Sequence, residues 1–282
     1  MDRALDAFGQ FEHDSWERVA GAYTAAYAAL TPQFAEPLLG AVGVAAKARL
    51  LDVACGPGHV ASTATQLGAS VVGLDFSAAM LRIARARHRG IEFVEGDAQR
   101  LPFPDASFDR VVMNFGVLHL SDPDRAFADA RRVLRRGGRY GFTVWAKPEL
   151  NRGMGIVTEA VERHGVPPHG IPEGPDRLRL ADEAECRRAL GAAGFERASV
   201  TFATHEVRWT VPTAGFLFDA QHQAAVRTAA VLRQQPPERL ERIRTAVQRE
   251  VERYPAPGGY AVPMAAHIVT ATAPDKWLIA DG

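Results

Sequence analysis

The sequence predicts an α/β fold: a mostly parallel sheet with helices on both faces. Three observations carry this. Between residues 49 and 145, short apolar runs alternate with stretches whose apolar residues recur every three to four positions. The first apolar run ends in a glycine turn, Gly56-Pro57-Gly58, and the second ends in an acid, Asp75. Strand–helix alternation at this spacing means βαβ units, whose ligands sit at the carboxyl ends of the strands.

Each element has its own signal. RLLDVAC (49–55) is an apolar run of the kind a strand buried on both faces shows. HVASTATQLG (59–68) places Val60, Ala64 and Leu67 on one helical face, and Gly68 closes it. SVVGLD (70–75) is a second strand, and Ser77 caps a helix carrying Met80, Leu81 and Ala84 inward. IEFVEGD (91–97) and FDRVVMNFG (108–116) read as the third and fourth strands. Asp122-Pro123 opens a helix lined by Phe127, Ala130 and Leu134, which Gly137-Gly138 is expected to end before RYGFTVW (139–145) forms a fifth strand. Strands near 198–209 and 265–273 bring the expected sheet to seven.

The reading of domains is a helical N-terminal cap (1–40), a core (41–146) and a remainder (147–282) that returns strands to the sheet. Pro- and Gly-rich 147–180 and helical 212–258, broken at Pro236-Pro237, read as insertions that cover a ligand. In the cap, Trp16, Tyr23 and Tyr27 are spaced seven and four apart, one face of a helix.

Composition narrows the function. The 282 residues are 47% hydrophobic and 23% charged, enough for a core that needs no disulfide or metal staple. The formal charge is zero, against a general nucleic-acid binder and against adhesion to an anionic membrane. Two cysteines, Cys55 and Cys186, are too few for a disulfide framework or a cysteine zinc site, so no metal is expected and reduced thiols are. The charged N-terminus lacks the apolar segment of a signal peptide, and no run reaches 18 apolar residues, so a cytoplasmic location is expected. Nothing in the sequence distinguishes monomer from dimer. The arginines at 82, 85, 87, 89, 131, 132, 135 and 136 read as solvated helix faces.

The glycine turn by itself fits two cofactors. Gly56-Pro57-Gly58-His59-Val60-Ala61 satisfies the dinucleotide pattern G-x-G-x-x-A, and Asp75 lies where a ribose-binding acid belongs. No Gly-Lys-Ser/Thr follows, which excludes a phosphate P-loop. Asp52 lies just before the turn; it would repel a pyrophosphate and attract a cation. Gly96-Asp97-Ala98 and LPFPDASFD (101–109) follow the third strand.

Together LLDVACGPG, VVGLDFSAAML, FVEGDAQRLPFPDASFDRVV, NFGVLHLSDP and LRRGGRYGFTVW resemble the class I S-adenosylmethionine (SAM) methyltransferases of the small-molecule type, the group that includes the ubiquinone/menaquinone methyltransferases. The matching stretches cover about a third of the chain. Ala54 stands where the family often has its first glycine, and Arg136 where a proline is common. The resemblance implies a Rossmann-like, seven-stranded sheet with a helical lid, and SAM as cofactor. Asp52 would face the methionine ammonium, with Ala54, Gly56 and Gly58 forming the turn that admits the methionine and ribose. Asp75 would accept the ribose hydroxyls. Phe76 and Met80 would pack the adenine, Met80 being equally suited to the core. Asp97 and the Ala98 amide would hold the adenine edge, and Asn114 would lie near the methyl group.

His119, in the loop after the fourth strand, is the candidate base for a hydroxyl acceptor, or else a histidine packed under that loop. Tyr23, Trp145, Phe216 and His222 are the candidate acceptor-binding residues. The expected reaction is methyl transfer to oxygen or nitrogen, and less to carbon, of a small ring-containing metabolite of secondary metabolism. The alternatives are an NAD-dependent oxidoreductase and a non-catalytic SAM-binding module.

Overall fold

A computed structural model describes residues 5–275. The helices, in chain order, are α1 (Ala7–Ala26), α2 (Ala35–Ala41), α3 (His59–Gln66), α4 (Ala78–Arg87), α5 (Pro123–Val133), α6 (Arg152–His164), α7 (Glu183–Ala192), α8 (Phe216–Ala224), α9 (Arg227–Arg233) and α10 (Pro237–Val251). The strands are β1 (Arg49–Val53), β2 (Ser70–Asp75), β3 (Glu92–Glu95), β4 (Phe108–Asn114), β5 (Leu134–Trp145), β6 (Thr201–Val211), β7 (Pro255–Ala256) and β8 (Gly259–Thr272). No helix among the described residues is long and apolar enough to cross a membrane.

Seven strands run in the order β3-β2-β1-β4-β5-β8-β6, and the two-residue β7 pairs with β8 as an eighth. The β1–β2, β1–β4, β2–β3 and β4–β5 ladders are parallel. This is the expected architecture, with the short β7 added antiparallel to β8 at the Gly258-Gly259 turn.

The chain falls into two compact units. Among the described residues, unit 2 holds 34–144, 175–203 and 267–275, and unit 1 holds 5–33, 145–174 and 204–266. In unit 2, strand alternation sorts residues between two apolar layers. Leu51, Val53, Val111, Phe127 and Phe142 fill one layer; Leu50, Val60, Val112 and Leu38 of α2 fill the other. Period-2 alternation puts Asp52 on the Leu50 face, toward α3. Side-chain caps open the helices where the sequence placed them: Ser77 Oγ accepts from the Met80 amide (3.1 Å), and Asp122 from the Arg125 amide (3.0 Å), with Pro123 in the first turn.

One boundary differs from expectation. The helix expected to run to Gly137-Gly138 stops at Val133, and β5 begins at Leu134, which pairs with Phe108. The register then jumps, because Arg110 pairs with Arg139. The extra residues form a bulge in which Gly137 takes φ +67°. The glycines therefore bend a strand instead of ending a helix. Arg132 is likewise more than a solvated side chain. Its guanidinium donates to the carbonyls of Leu101 (2.9 Å) and Phe103 (2.7 Å) and to Asp105 and Asp129, fastening the loop before β4.

Unit 1 is mostly helical. Pro236 and Pro237 separate α9 from α10 as the sequence suggested, and a further break at residues 225–226 separates α8 from α9. Glu12 of α1 is fully buried and accepts from Arg227 Nε at 2.9 Å, while the Arg227 guanidinium lies 4.5 Å from the centre of the Phe8 ring.

Candidate cofactor site and acceptor residues

The parallel register brings Asp52, Asp75 and Asn114 to the carboxyl ends of neighbouring strands. Asp52 lies opposite Gly73, and Asn114 opposite Thr143. A ligand in an open parallel sheet binds at this edge.

Asp75 is buried and holds two segments at once. Its Oδ2 accepts from the Gly56 amide (2.8 Å) and its Oδ1 from the Ser77 amide (2.9 Å). The carboxylate thereby fixes the glycine turn against the start of α4.

Asp52 is 1% exposed. Its Oδ2 accepts from the Ala61 amide (2.9 Å), one of the orphan N–H groups at the start of α3. Its Oδ1 is buried without a hydrogen-bond partner. Burial, the largest cause, pushes its carboxyl up to about 8; Asp75 raises it further and the Ala61 amide opposes. A buried acceptor left open beside a positive helix end is a place for a cationic group.

The turn between them is strained and open. Gly56 and Gly58 adopt φ +53° and +85°, and so does Ala54, at +53°. Ala54 thus occupies a left-handed conformation that glycine takes at no steric cost, which explains why its position suits the glycine that the family often has there. A Cβ added at Gly58 would lie 2.8 Å from the His88 ring, so that glycine is required by packing. A Cβ added at Gly56 would meet nothing within 4 Å, so that glycine borders open space. An orphaned carboxylate oxygen, an anchored carboxylate and an open glycine turn fit the methionine and ribose of SAM.

Two substitutions separate packing from ligand space. In Gly116→Ala the new Cβ would stand 2.5 Å from Ala54 Cβ and 2.8 Å from Met113 Cγ. The expected cost is about 1–3 kcal/mol of stability, as for other overpacked sites. Gly56→Ala instead bears only the left-handed backbone penalty of about 1–2 kcal/mol, and its larger effect is expected on cofactor affinity. Urea unfolding and SAM titration of both variants check this. Equal loss of affinity in the two would show that the space above Gly56 is not ligand space.

The remaining candidates in unit 2 are placed as follows. Asp97 Oδ1 accepts from the Gln99 amide (2.8 Å) and Gln99 Nε2 (3.1 Å), and Gln99 Oε1 accepts from the Asp122 amide (2.7 Å), so the Asp97 loop is tied to the start of α5. Ala98 is buried in the core layer that holds Leu101 and Val117. Met80 is buried and Phe76 half-buried. Asn114 Oδ1 accepts from Thr143 Oγ1 (2.6 Å), which itself accepts from the Phe115 amide (2.8 Å). Phe115, at φ +61°, ends β4 two residues before the expected limit. His119 closes a short 3₁₀ turn (Val117–His119) and is half-buried. Cys55 and Cys186 are buried, and burial raises both thiols, Cys186 to about 12, so neither is a nucleophile at neutral pH.

Sequence reasoning missed Thr143 and Gln99, the residues that orient Asn114 and Asp97. Thr143 had a signal: it is the polar residue in the apolar run GFTVW. Gln99 had none.

Tyr23, Trp145, Phe216 and His222 belong to unit 1. All four are half-buried. Tyr23 stacks on Tyr27, Phe216 meets Trp209 edge-on, and the His222 ring lies 5.7 Å from Phe218. Burial, then Arg233 and Arg244, lower the His222 pKa.

The sheet order and the glycine turn flanked by two strand-end carboxylates define a Rossmann-like α/β protein. A family profile described as a methyltransferase domain matches residues 51–142. The demethylmenaquinone methyltransferase of Thermobifida fusca is 40% identical over 168 residues, covering 52% of this chain and 69% of that protein. The demethylmenaquinone methyltransferase of Renibacterium salmoninarum is 37% identical over 123 residues, covering 44% and 52%. Among solved structures, the [4+2]-cyclase SpnF is 26% identical with a TM-score of 0.54, covering 87% of this chain and 81% of that one. The chain belongs to the class I SAM-dependent methyltransferases. It spans about half the length of most of the curated relatives it matches.

Proposed function

We propose that the protein transfers the methyl group of SAM to oxygen or nitrogen, and less readily to carbon, of a small ring-containing acceptor. The observation that carries the cofactor part is the pair of buried carboxylates at the ends of β1 and β2: Asp52 with an open oxygen, and Asp75 clamping the Gly56 turn. Two of the curated relatives are named demethylmenaquinone methyltransferases, which supports a ring acceptor of the quinone kind, while another is named a malonyl-[acyl-carrier protein] O-methyltransferase.

SAM supplies a methyl group already activated on a sulfonium, so the protein's task is to hold, align and desolvate the reactants. Asp75 holds the ribose hydroxyls, Asp52 neutralises the ammonium, and Asp97 with the Ala98 amide grips the adenine edge. Phe76 and Met80 flank the adenine. Asn114, fixed by Thr143, stands toward the methionine. His119 takes the proton of a hydroxyl acceptor, which keeps the acceptor oxygen nucleophilic as the methyl arrives. A cytoplasmic role in secondary metabolism, with no nucleic acid or membrane partner, fits this reading.

Calorimetric titration with SAM, S-adenosylhomocysteine and NADH tests it. Micromolar binding of the two adenosyl ligands and none of NADH is expected. Binding of NADH alone would return the glycine turn to dinucleotide chemistry. The similarity to a cyclase shows that this fold also carries other reactions. Loss of the SAM methyl group to a hydroxylated ring acceptor, followed by mass spectrometry, separates a transferase from a module that binds SAM without turnover.

A further inference from the structure

The loop after β3 carries a row of polar groups whose directions are fixed from one end. Asp97 lies two residues past Glu95, the register partner of Asp75. The Gly96 amide donates to the Asp75 carbonyl (3.0 Å), which keeps the start of the loop beside Asp75 at the carboxyl edge of the sheet. The row starts at the Asp122 amide, which donates to Gln99 Oε1 (2.7 Å). A backbone N–H can only donate, so the Gln99 side chain must turn its Nε2 the other way. That nitrogen donates to Asp97 Oδ1 (3.1 Å). The Gln99 backbone amide donates to the same Oδ1 (2.8 Å), and Arg125 Nε donates to the Gln99 carbonyl (3.0 Å).

Two donors on Oδ1 occupy both of its lone pairs and fix the plane of the carboxylate. Among the described residues no group donates to Asp97 Oδ2. Asp97 and Gln99 are half-buried, so the pair is partly shielded while Oδ2 stays open to a ligand. The Gln99 main chain is already held at its N–H and at its C=O. Its Nε2 is therefore not needed to brace the loop; it acts on the direction of the carboxylate. An ionised carboxylate oxygen only accepts. It suits an amino group of a ligand and repels a carbonyl oxygen in the same place.

We propose that Gln99 is a positioning residue that makes the cofactor site selective for a 6-aminopurine over a 6-oxopurine. It keeps Asp97 Oδ2 aimed at the exocyclic amino group, which donates to it. A 6-oxo group there sets oxygen against carboxylate, and a carboxylate that cannot swing away keeps that repulsion in full. Without the Gln99 Nε2 bond the carboxylate turns more freely. It must then be ordered when the aminopurine binds, and it can turn from the oxopurine. Both effects reduce selectivity. The proposal rests on the reading above that places Asp97 at the adenine edge.

The test compares S-adenosylhomocysteine with S-inosylhomocysteine, which carries a 6-oxo group in place of the 6-amino group. Calorimetry gives both affinities for wild type, Gln99→Met, Gln99→Glu and Asp97→Asn. Wild type is expected to prefer S-adenosylhomocysteine by about 10- to 150-fold, the range of one hydrogen bond to a charged group. Asp97→Asn should bring the preference close to unity. Gln99→Met loses both side-chain bonds; Gln99→Glu keeps the acceptor for the Asp122 amide and loses only the donor to Asp97. Each is expected to cut the preference about 2- to 10-fold, the cost of ordering one freed side chain. A purely structural Gln99 would lower both affinities alike and leave their ratio unchanged. An unchanged ratio in the folded Gln99 variants, together with its loss in Asp97→Asn, would overturn the role of Gln99 alone. An unchanged ratio in Asp97→Asn, or no binding of either compound by wild type, would overturn the adenine-edge reading and this proposal with it.

Discussion

Asp75→Ala is expected to weaken SAM binding by about 10²- to 10⁴-fold and to lower stability by about 2–6 kcal/mol. The stability loss comes from two amides, Gly56 N–H at 2.8 Å and Ser77 N–H at 2.9 Å, that lose a common acceptor in a buried setting. Each stranded group costs about 1–3 kcal/mol. The affinity loss has a separate origin. Two ligand hydroxyls bonded to a charged acceptor contribute about 1.5–3 kcal/mol each, which gives the stated range through the affinity relation. The released turn also loses its hold at Gly56, whose left-handed backbone Asp75 secures. Asp75→Asn keeps one carbonyl acceptor and should fall between wild type and alanine on both scales. Urea unfolding and calorimetry on the three proteins check this. An alanine variant that is destabilised yet binds SAM at wild-type affinity would leave Asp75 as a fastener of the turn alone.

The second large effect is a proton released on cofactor binding. The Asp52 carboxyl is pushed up to about 8 from an ordinary 3.8, chiefly by burial. Between those values the folded protein holds a proton that the unfolded chain has lost. Stability of the ligand-free protein therefore falls as pH rises from about 4 to about 8, and levels off above. An ammonium seated at the open Oδ1 favours the charged carboxylate and pulls the value back down. At pH 7, SAM binding should then expel roughly 0.9 proton per site, the protonated fraction that a group titrating near 8 retains. Binding enthalpies measured in buffers of different ionisation enthalpy report that number directly. Asp52→Asn should abolish the proton release and flatten the stability slope. A wild-type enthalpy independent of buffer would mean that the ammonium sits elsewhere.

Both effects concern residues that the sequence already marked, and the difference between marking and explaining is instructive. Asp52 and Asp75 were legible because each ends an apolar strand next to a glycine turn or a helix cap, and parallel strands gather such ends on one edge. The bulge after Val133 was not legible, since Gly137-Gly138 is as good a helix stop as a strand kink until the pairing of Leu134 with Phe108 decides. Arg132 looked like a solvated charge because its carbonyl acceptors lie about thirty residues away, in the loop at Leu101–Phe103. Trp16, Tyr23 and Tyr27 announced a ring face on α1, but nothing local indicated that Trp209 would stack on it or that Gln221 would bond the Tyr27 hydroxyl.

The sequence by itself therefore determined the α/β class, the succession of core strands along the chain, and the edge of the sheet where the candidate cofactor residues gather. These follow from periodicities of two and about 3.6 residues and from short turn signals, all read within a few positions. Only the tertiary structure decided that Asp52 is buried with one oxygen open, that Ala54 and Phe115 are held in left-handed conformations, and that Trp209 of β6 stacks on Tyr27 at the end of α1. Desolvation, backbone strain and hydrogen-bond satisfaction are set by everything that packs around a group, and most of what packs there lies far away along the chain.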